Sequence, residues 1–201
     1  MKLTVVVQAG GESRRMGTNK ALLPFLGQPL IQRVVERLKP VADEMIITSN
    51  QPGDYAFLNL PVHPDIMPGY GALGGLLTAL TVSTSPVTAV VACDMPFVSA
   101  ELLMYQMQVF QRGQWDAVVP KGKGGFEPLH AIYRTAICRQ AVAQAIKLGE
   151  KKMIAWFPKV KIYTIEQAEW CSFDPQGRIF WNVNTPQELQ SAEAAAYADI
   201  G

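Results

Sequence analysis

Two adjacent glycines, Gly10 and Gly11, are followed by three cations, Arg14, Arg15 and Lys20. Glycine has no Cβ, so its backbone can take φ > 0 and come close to a ligand, and a concavity lined with N–H groups binds anions. A lysine then acts as a point charge on phosphate and an arginine as a two-pronged fork, which makes a polyphosphate the expected ligand. A second signal is Asp94, which follows the apolar run Val87–Cys93 and precedes Met95 and Pro96. A carboxylate at a strand end, just before a proline that fixes the turn, can hold Mg²⁺ against phosphates, because Mg²⁺ takes one or two carboxylates, waters and phosphate oxygens. Ser99 is better placed than Asp94 to cap the helix carrying Leu102, Leu103, Met107 and Phe110.

The surrounding pattern supplies the elements that hold these residues. Leu3–Val7 is β-branched and apolar on both faces, as a strand inside a parallel sheet must be. Leu30, Ile31, Val34, Val35 and Leu38 make a helical stripe ending at Pro40, and Met45–Thr48 is the next strand. Ser49–Gly53 is a turn-rich loop where ligand-facing residues emerge at a strand's C-terminal edge. The prolines of Leu60–Pro64 demote that strand to the sheet edge, and Asp65 follows it. Leu73, Leu76, Leu77 and Leu80 start a helix inside the glycine-rich segment around Gly71, Gly74 and Gly75; close packing or ligand approach explains those glycines equally well. Trp115–Pro120 is a strand, Lys121–Gly125 a solvated basic loop, and Leu129–Tyr133 a strand that the short connection allows to be antiparallel. A helix from Ile137 to Leu148, a short helix from Met153 to Phe157, and strands at Val160–Ile165 and Arg178–Asn184 follow. Thr185, Pro186 and Glu188 then form a capping box before an alanine-rich helix. The alternation predicts an α/β fold, Rossmann-like, with three α/β/α layers around a mostly parallel central sheet.

Composition bounds the rest. The 201 residues fit a single domain spanning 1–201, and 49% hydrophobic content is enough for a sizeable core. A net charge of +1 excludes a general field for nucleic acid or membrane, so anion specificity is local to the cationic loop. Cys93, Cys138 and Cys171 are odd in number and widely spaced, which argues against disulfides or a zinc site. The N-terminal apolar run is too short for a signal segment, so a cytoplasmic location is expected. His63 and His130 lack a nucleophile and carboxylate beside them and are read as structural.

The first loop lacks the Gly-Lys-Ser/Thr ending of a P-loop and the spacing of a dinucleotide fold. Gln8-Ala9-Gly10-Gly11-Glu12-Ser13-Arg14-Arg15-Met16-Gly17-Thr18-Asn19-Lys20 resembles instead the signature loop of nucleotidyltransferases, and its Ala-Gly-Gly form resembles the molybdenum cofactor guanylyltransferases. Gln8 stands where that family usually has Leu. A backbone role would survive the exchange, whereas a side chain packed on the base would bear on nucleotide preference. Cys93-Asp94-Met95-Pro96 is similar to the family's metal motif, and Gly71-Ala72-Leu73-Gly74-Gly75 to a segment near the guanine base. Glu127-Pro128-Leu129 resembles a segment near the acceptor pterin, and Asn182-Val183-Asn184-Thr185-Pro186 a run near the metal.

The resemblance implies a nucleotide-diphospho-sugar-transferase-like fold and Mg²⁺-dependent transfer of GMP from GTP to molybdopterin or Mo-molybdopterin, with pyrophosphate released. It places Gln8, Ala9, Gly10, Gly11, Lys20, Asn50, Asp65, Gly71 and Asp94 around GTP, with Asp94 on the metal. Arg15, Lys20 and Asp94 are the expected catalytic residues, and Glu127, Pro128, Asn182 and Asn184 are weaker acceptor-side candidates. The implied partners are GTP, the pterin, molybdopterin-handling proteins and apo-molybdoenzymes. A CTP-dependent sister enzyme on the same cofactor and a non-catalytic GTP-binding adaptor are the rival expectations; the adaptor would not need Asp94.

Overall fold

The structure, a computed structural model, describes residues 1–10 and 19–199. Gly11, Arg14 and Arg15, with the rest of 11–18, lie outside the described residues, and so do the expectations placed on them.

The first strand, β1 (Leu3–Gln8), is buried at every position. A short antiparallel pair, β2 (Pro24–Phe25) and β3 (Gln28–Pro29), leads into α1 (Leu30–Leu38), whose buried face is Leu30, Ile31, Val34, Val35 and Leu38. The chain returns as β4 (Glu44–Thr48), then as the two-residue edge strand β5 (Val62–His63). Helix α2 (Gly71–Val82) begins at Gly71, two residues before the leucine stripe, and β6 (Val87–Ala92) is again fully buried. Helix α3 (Ala100–Arg112) is capped by the Ser99 hydroxyl, which accepts from Leu102 N. β7 (Ala117–Gly122), β8 (Gly125–Phe126), β9 (His130–Arg134) and α4 (Thr135–Lys147) follow. The last elements are β10 (Ile162–Ile165), α5 (Gln167–Trp170) and α6 (Pro186–Ala198), the last with the expected capping box of Thr185 and Glu188.

The main sheet has the order β10-β7-β9-β6-β1-β4-β5, with β8 beside β7. β1 pairs in parallel with both β4 and β6. β9 runs antiparallel to β6 and β7, as the short connection before it allowed. Because the chain goes to one side of β1 through β4 and β5 and to the other through β6, the order reverses at β1 and β6, where open α/β sheets leave a crevice beyond the strand ends. Two apolar layers cover the sheet: one centred on α1 and α3 with Ile31, Leu103 and Phe110, the other on α2 and α4 with Leu76, Val142 and Trp156. This is the mostly parallel three-layer architecture that the alternation of elements implied.

Two local expectations are corrected. Arg178–Asn184 is not a strand: Trp181 N bonds back to Arg178 O in a turn, and Val183 N donates to Asp94 O. Trp181 and Val183 pack into a third cluster with Phe25, Phe97 and Ala192, while Ile179 and Phe180 join the layer of α1 and α3, rather than pairing with the sheet. The segment 153–156 is turns rather than a helix, with a 3₁₀ turn at Phe157–Lys159, because Pro158 removes a donor where a helix would continue.

Candidate active site

The crevice at the reversal point is a cleft of about 150 Å³, open to solvent at its mouth. It is lined by Gln8, Ala9 and Gly10 at the end of β1, by Asn19 and Lys20, by Ala72 of α2, and by Cys93 and Asp94 just after the neighbouring β6. The parallel pairing of β1 and β6 makes this gathering obligatory: Gln8 lies opposite Ala92 in register, and Cys93 N donates to Gln8 O at 3.1 Å. Leu129, just ahead of β9, reaches the same cleft because the antiparallel strand starts at that edge.

Lys20 sits in a 3₁₀ turn that Asn19 caps through its side chain, accepting from Ala21 N at 3.2 Å. Asn19 Nδ2 also donates to Tyr55 Oη at 2.9 Å and Asp54 Oδ2 at 3.2 Å, which ties the lysine turn to the 3₁₀ segment after β4. The Lys20 ammonium donates to Asn184 Oδ1 at 2.8 Å. Asn184 N in turn donates to Glu188 Oε2 at 2.6 Å, so the cap of α6 also seats the residue that holds the lysine. Asn19 and Tyr55 escaped the reading of the sequence. Asn19 carried a usable signal, an Asn just ahead of a helical turn; Tyr55 carried none.

Asp94 is half-buried at the end of β6. Burial pushes its carboxyl above the usual carboxylate range, the Lys20 ammonium and a bond to its own backbone oppose this, and Glu188 adds to it. Asn50 and Asp65 are joined reciprocally: Asp65 N donates to Asn50 Oδ1 at 2.9 Å and Asn50 Nδ2 donates to Asp65 Oδ2 at 3.2 Å. A Cβ on Gly10 would stand 3.7 Å from Asp65 Oδ2, so this pair borders the first loop glycine. Burial also raises the Asp65 carboxyl, against the Asn50 bond. Gly71 is exposed at the first position of α2 with φ +52°, beside the cleft-lining Ala72.

The acceptor-side candidates divide. Asn184 meets the cleft through Lys20, whereas Asn182 bonds Phe180 O through its side chain; with no strand there, the two do not share a strand face. Glu127 is half-buried after β8, and burial alone pushes its carboxyl up to about 7. Pro128 O accepts from the buried Tyr133 hydroxyl. His130 is fully buried between Ser99 N, which donates to its Nε2, and the edge of the Phe180 ring. The three cysteines are unbridged.

Among the described residues no three His, Cys, Asp or Glu side chains converge as a metal cage. Asp94 fits Mg²⁺ in another way. Its ionised form is penalised by burial and set against the Lys20 ammonium, and Mg²⁺ completes its shell with phosphate oxygens and water.

A strand-end cleft at the reversal of a parallel sheet, lined by both a lysine and a carboxylate, defines a nucleotidyltransferase-type site. The sequence pattern of the MobA-like NTP transferase domain matches residues 5–161, and the chain belongs to that family. It is 38% identical to a probable molybdenum cofactor guanylyltransferase of Carboxydothermus hydrogenoformans over 94% of this chain and 93% of that one. It is 34% identical to the molybdenum cofactor guanylyltransferase of Desulfosudis oleivorans over 98% of this chain and 96% of that one. The fold superposes on the crystal structure of molybdopterin-guanine dinucleotide biosynthesis protein A from Archaeoglobus fulgidus with a TM-score of 0.84 and 27% identity, covering 97% and 99% of the two chains. The chain is an enzyme of the nucleotidyltransferase type. No helix among the described residues is long and apolar enough to cross a membrane.

Proposed function

We propose that this protein transfers GMP from GTP to the terminal phosphate of molybdopterin, or of Mo-molybdopterin, to form the guanine dinucleotide cofactor. The observation that carries this reading is the convergence of Gln8, Ala9, Gly10, Lys20 and Asp94 on one cleft, in a chain whose full-length relatives bear guanylyltransferase names. The acceptor phosphate is already ionised, so no enzyme nucleophile is needed. Its oxygen attacks the α-phosphorus in line as the bond to pyrophosphate breaks, and the protein supplies position and charge.

The Gly10 backbone cradles phosphate, with Gly11 expected to extend that cradle and Arg15 expected to stabilise the leaving pyrophosphate. Lys20, oriented by Asn184, neutralises charge that builds on the leaving pyrophosphate. Asn50, Asp65 and Gly71 surround the nucleoside, and Asp94 would hold Mg²⁺, which when bound neutralises the phosphates. Glu127, Pro128 and Asn182 lie on the acceptor side. The chain acts as one domain spanning 1–201 in the cytoplasm, receives its pterin from molybdopterin-handling proteins, and passes the product to apo-molybdoenzymes.

Titration calorimetry with GTP, CTP and NAD, with and without Mg²⁺, on wild type and Asp94→Ala tests this. Tight binding of GTP alone, strengthened by Mg²⁺ only when Asp94 is present, is the expected result. Preference for CTP would turn the reading to the cytidylyltransferase. Guanylyl transfer left intact in Asp94→Ala, or binding of no nucleotide at all, would sink it.

A further inference from the structure

Three arginines gather round a second cavity, of about 120 Å³, beside the turn that follows Asp94. Among the described residues it shares no lining side chain with the active-site cleft. Arg33 and Arg37 stand one turn apart on α1, and Arg178 comes from the segment ahead of α6. Each guanidinium is held in place by a carbonyl, an aromatic ring or both. Arg33 Nε donates to Pro96 O at 2.9 Å, and its guanidinium carbon lies 5.0 Å from the centre of the Phe25 ring. Arg37 Nε donates to Val98 O at 2.7 Å. Arg178 lies over the Phe97 ring at 4.8 Å and pairs with Asp199 at 3.0 Å.

Arg33 and Arg37 are thus oriented through Nε alone, and among the described residues their terminal nitrogens bond nothing and face no carboxylate at ion-pair distance. Arg178 Nε is shielded from solvent and likewise has no partner. Glu101, Asp174 and Asp199 also line the cavity, so its formal charges cancel, and the decisive question is where the carboxylate oxygens are engaged. Asp174 accepts from the backbone N–H groups of Gln176, Arg178 and Ile179. Asp199 is held by Arg178, and Glu101 accepts from the Ser99 hydroxyl at 2.9 Å. Two guanidiniums remain with their forks unbonded. Burial first, and then the neighbouring Arg37, lower the pKa of the half-buried Arg33, against Asp199 and Glu36. Like charges in a sheltered cavity are unfavourable, and an oxyanion that accepts from both forks reverses that balance.

We propose that this cavity is an oxyanion site, apart from the active-site cleft, in which Arg33, Arg37 and Arg178 hold one phosphate group, either free phosphate or the end of a small phosphomonoester. A planar guanidinium presents paired N–H groups that match two phosphate oxygens, which a lysine cannot do. The volume admits a single tetrahedral anion and is far below what a nucleotide needs. The site stands whether or not the GTP reading of the cleft holds.

The test titrates the full chain with inorganic phosphate and, separately, with glycerol 3-phosphate, at an ionic strength held constant with chloride. Calorimetry and the NMR resonances of the arginine Nε–H groups are read together. Phosphate can also enter the active-site cleft, so the parent protein is Lys20→Ala, which removes a cation there. In that protein phosphate should bind saturably, with a Kd on the order of 1 mM, and shift the resonances of Arg33, Arg37 and Arg178. Adding Arg37→Gln or Arg33→Gln should weaken it at least about tenfold, and Arg37→Lys, which keeps the charge and loses the fork, about fivefold. Binding that leaves the three resonances unmoved overturns the proposal, as does binding undiminished in a folded glutamine variant. Where a glutamine variant fails to fold, the resonances of its parent still decide. Glycerol 3-phosphate moving the same resonances supports the site and makes the ligand an ester's phosphate; phosphate alone moving them supports it and makes the ligand the free anion. If neither binds, the proposal falls and the reading of the cleft is untouched.

Discussion

The Lys20 ammonium and the Asn184 amide oxygen meet at 2.8 Å across 164 residues of sequence, and this bond fixes where the lysine points before any ligand arrives. Without it a lysine at a half-exposed site would sample many rotamers, and each would have to be given up on binding.

Asn184→Ala should therefore act on function and leave the fold alone. Asn184 is exposed and its backbone N–H would still bond Glu188, so stability should change by less than about 0.5 kcal/mol. The kcat/KM for GTP should fall roughly tenfold, about 1.4 kcal/mol of lost preorganisation. Steady-state kinetics beside thermal unfolding checks both halves.

Asp94→Asn should separate activity from stability in the opposite sense. The folded-state pKa of Asp94 is raised, so its contribution to stability is present at low pH and lost as pH rises through that value. At neutral pH the charged form is a burden on the fold, and removing it should raise stability by about 1 kcal/mol, a shift of about 2–4 °C in Tm. Turnover should drop by about two orders of magnitude or more. A variant that is both inactive and markedly less stable would argue for a structural Asp94.

His130 makes a pH prediction whose direction follows from burial. Its pKa is lowered from 6.5 to about 4, so between those values the unfolded chain binds a proton that the folded protein does not. Stability supplied by the neutral imidazole is thus full above about pH 6.5 and is lost as pH falls toward 4, by about 3 kcal/mol in all. Denaturant unfolding of wild type and His130→Gln at pH 7, 5.5 and 4 should show this slope in wild type and not in the variant, with other carboxylates cancelling between them.

Glu127 should set the pH dependence of acceptor use. With its carboxyl pushed up to about 7, it is neutral below that pH and negative above it, where it repels a phosphorylated acceptor. The KM for the pterin should rise as pH passes 7, while that for GTP stays flat. Glu127→Gln should hold the acceptor KM near its low-pH value throughout, and a persistent rise in the variant would place the titrating group elsewhere.

Most of the parallel frame was legible because its strands are buried on both faces. β1, β4 and β6 read as uninterrupted apolar runs, and the residues at their C-terminal ends, Gln8 to Gly10, Asn50 and Asp94, had to emerge at one edge once the strands were parallel. What escaped was set by contacts distant in sequence. Arg178–Asn184 has the composition of a strand, yet it finds Phe97 and the turn after Asp94 rather than a sheet edge. No local pattern could show that Lys20 would bond Asn184 or that Tyr55 would anchor Asn19. Gln8 stood out only as an unexpected residue; the reason it is accommodated lies in Gly75, on a helix met 67 residues later.

The bond from Val183 N to Asp94 O has a bearing on how the molecule comes into being. Together with the Lys20–Asn184 contact it closes very long loops from the last part of the chain onto its first half, and such closures are slow and entropically costly. During synthesis β1 through β9 can pair while α6 is still inside the ribosome. The nascent protein then owns a sheet and a cleft, but neither an oriented Lys20 nor a tethered Asp94 turn. Competence arrives only once α6 has docked, so misfolding there would leave Lys20 unoriented and the Asp94 turn untethered.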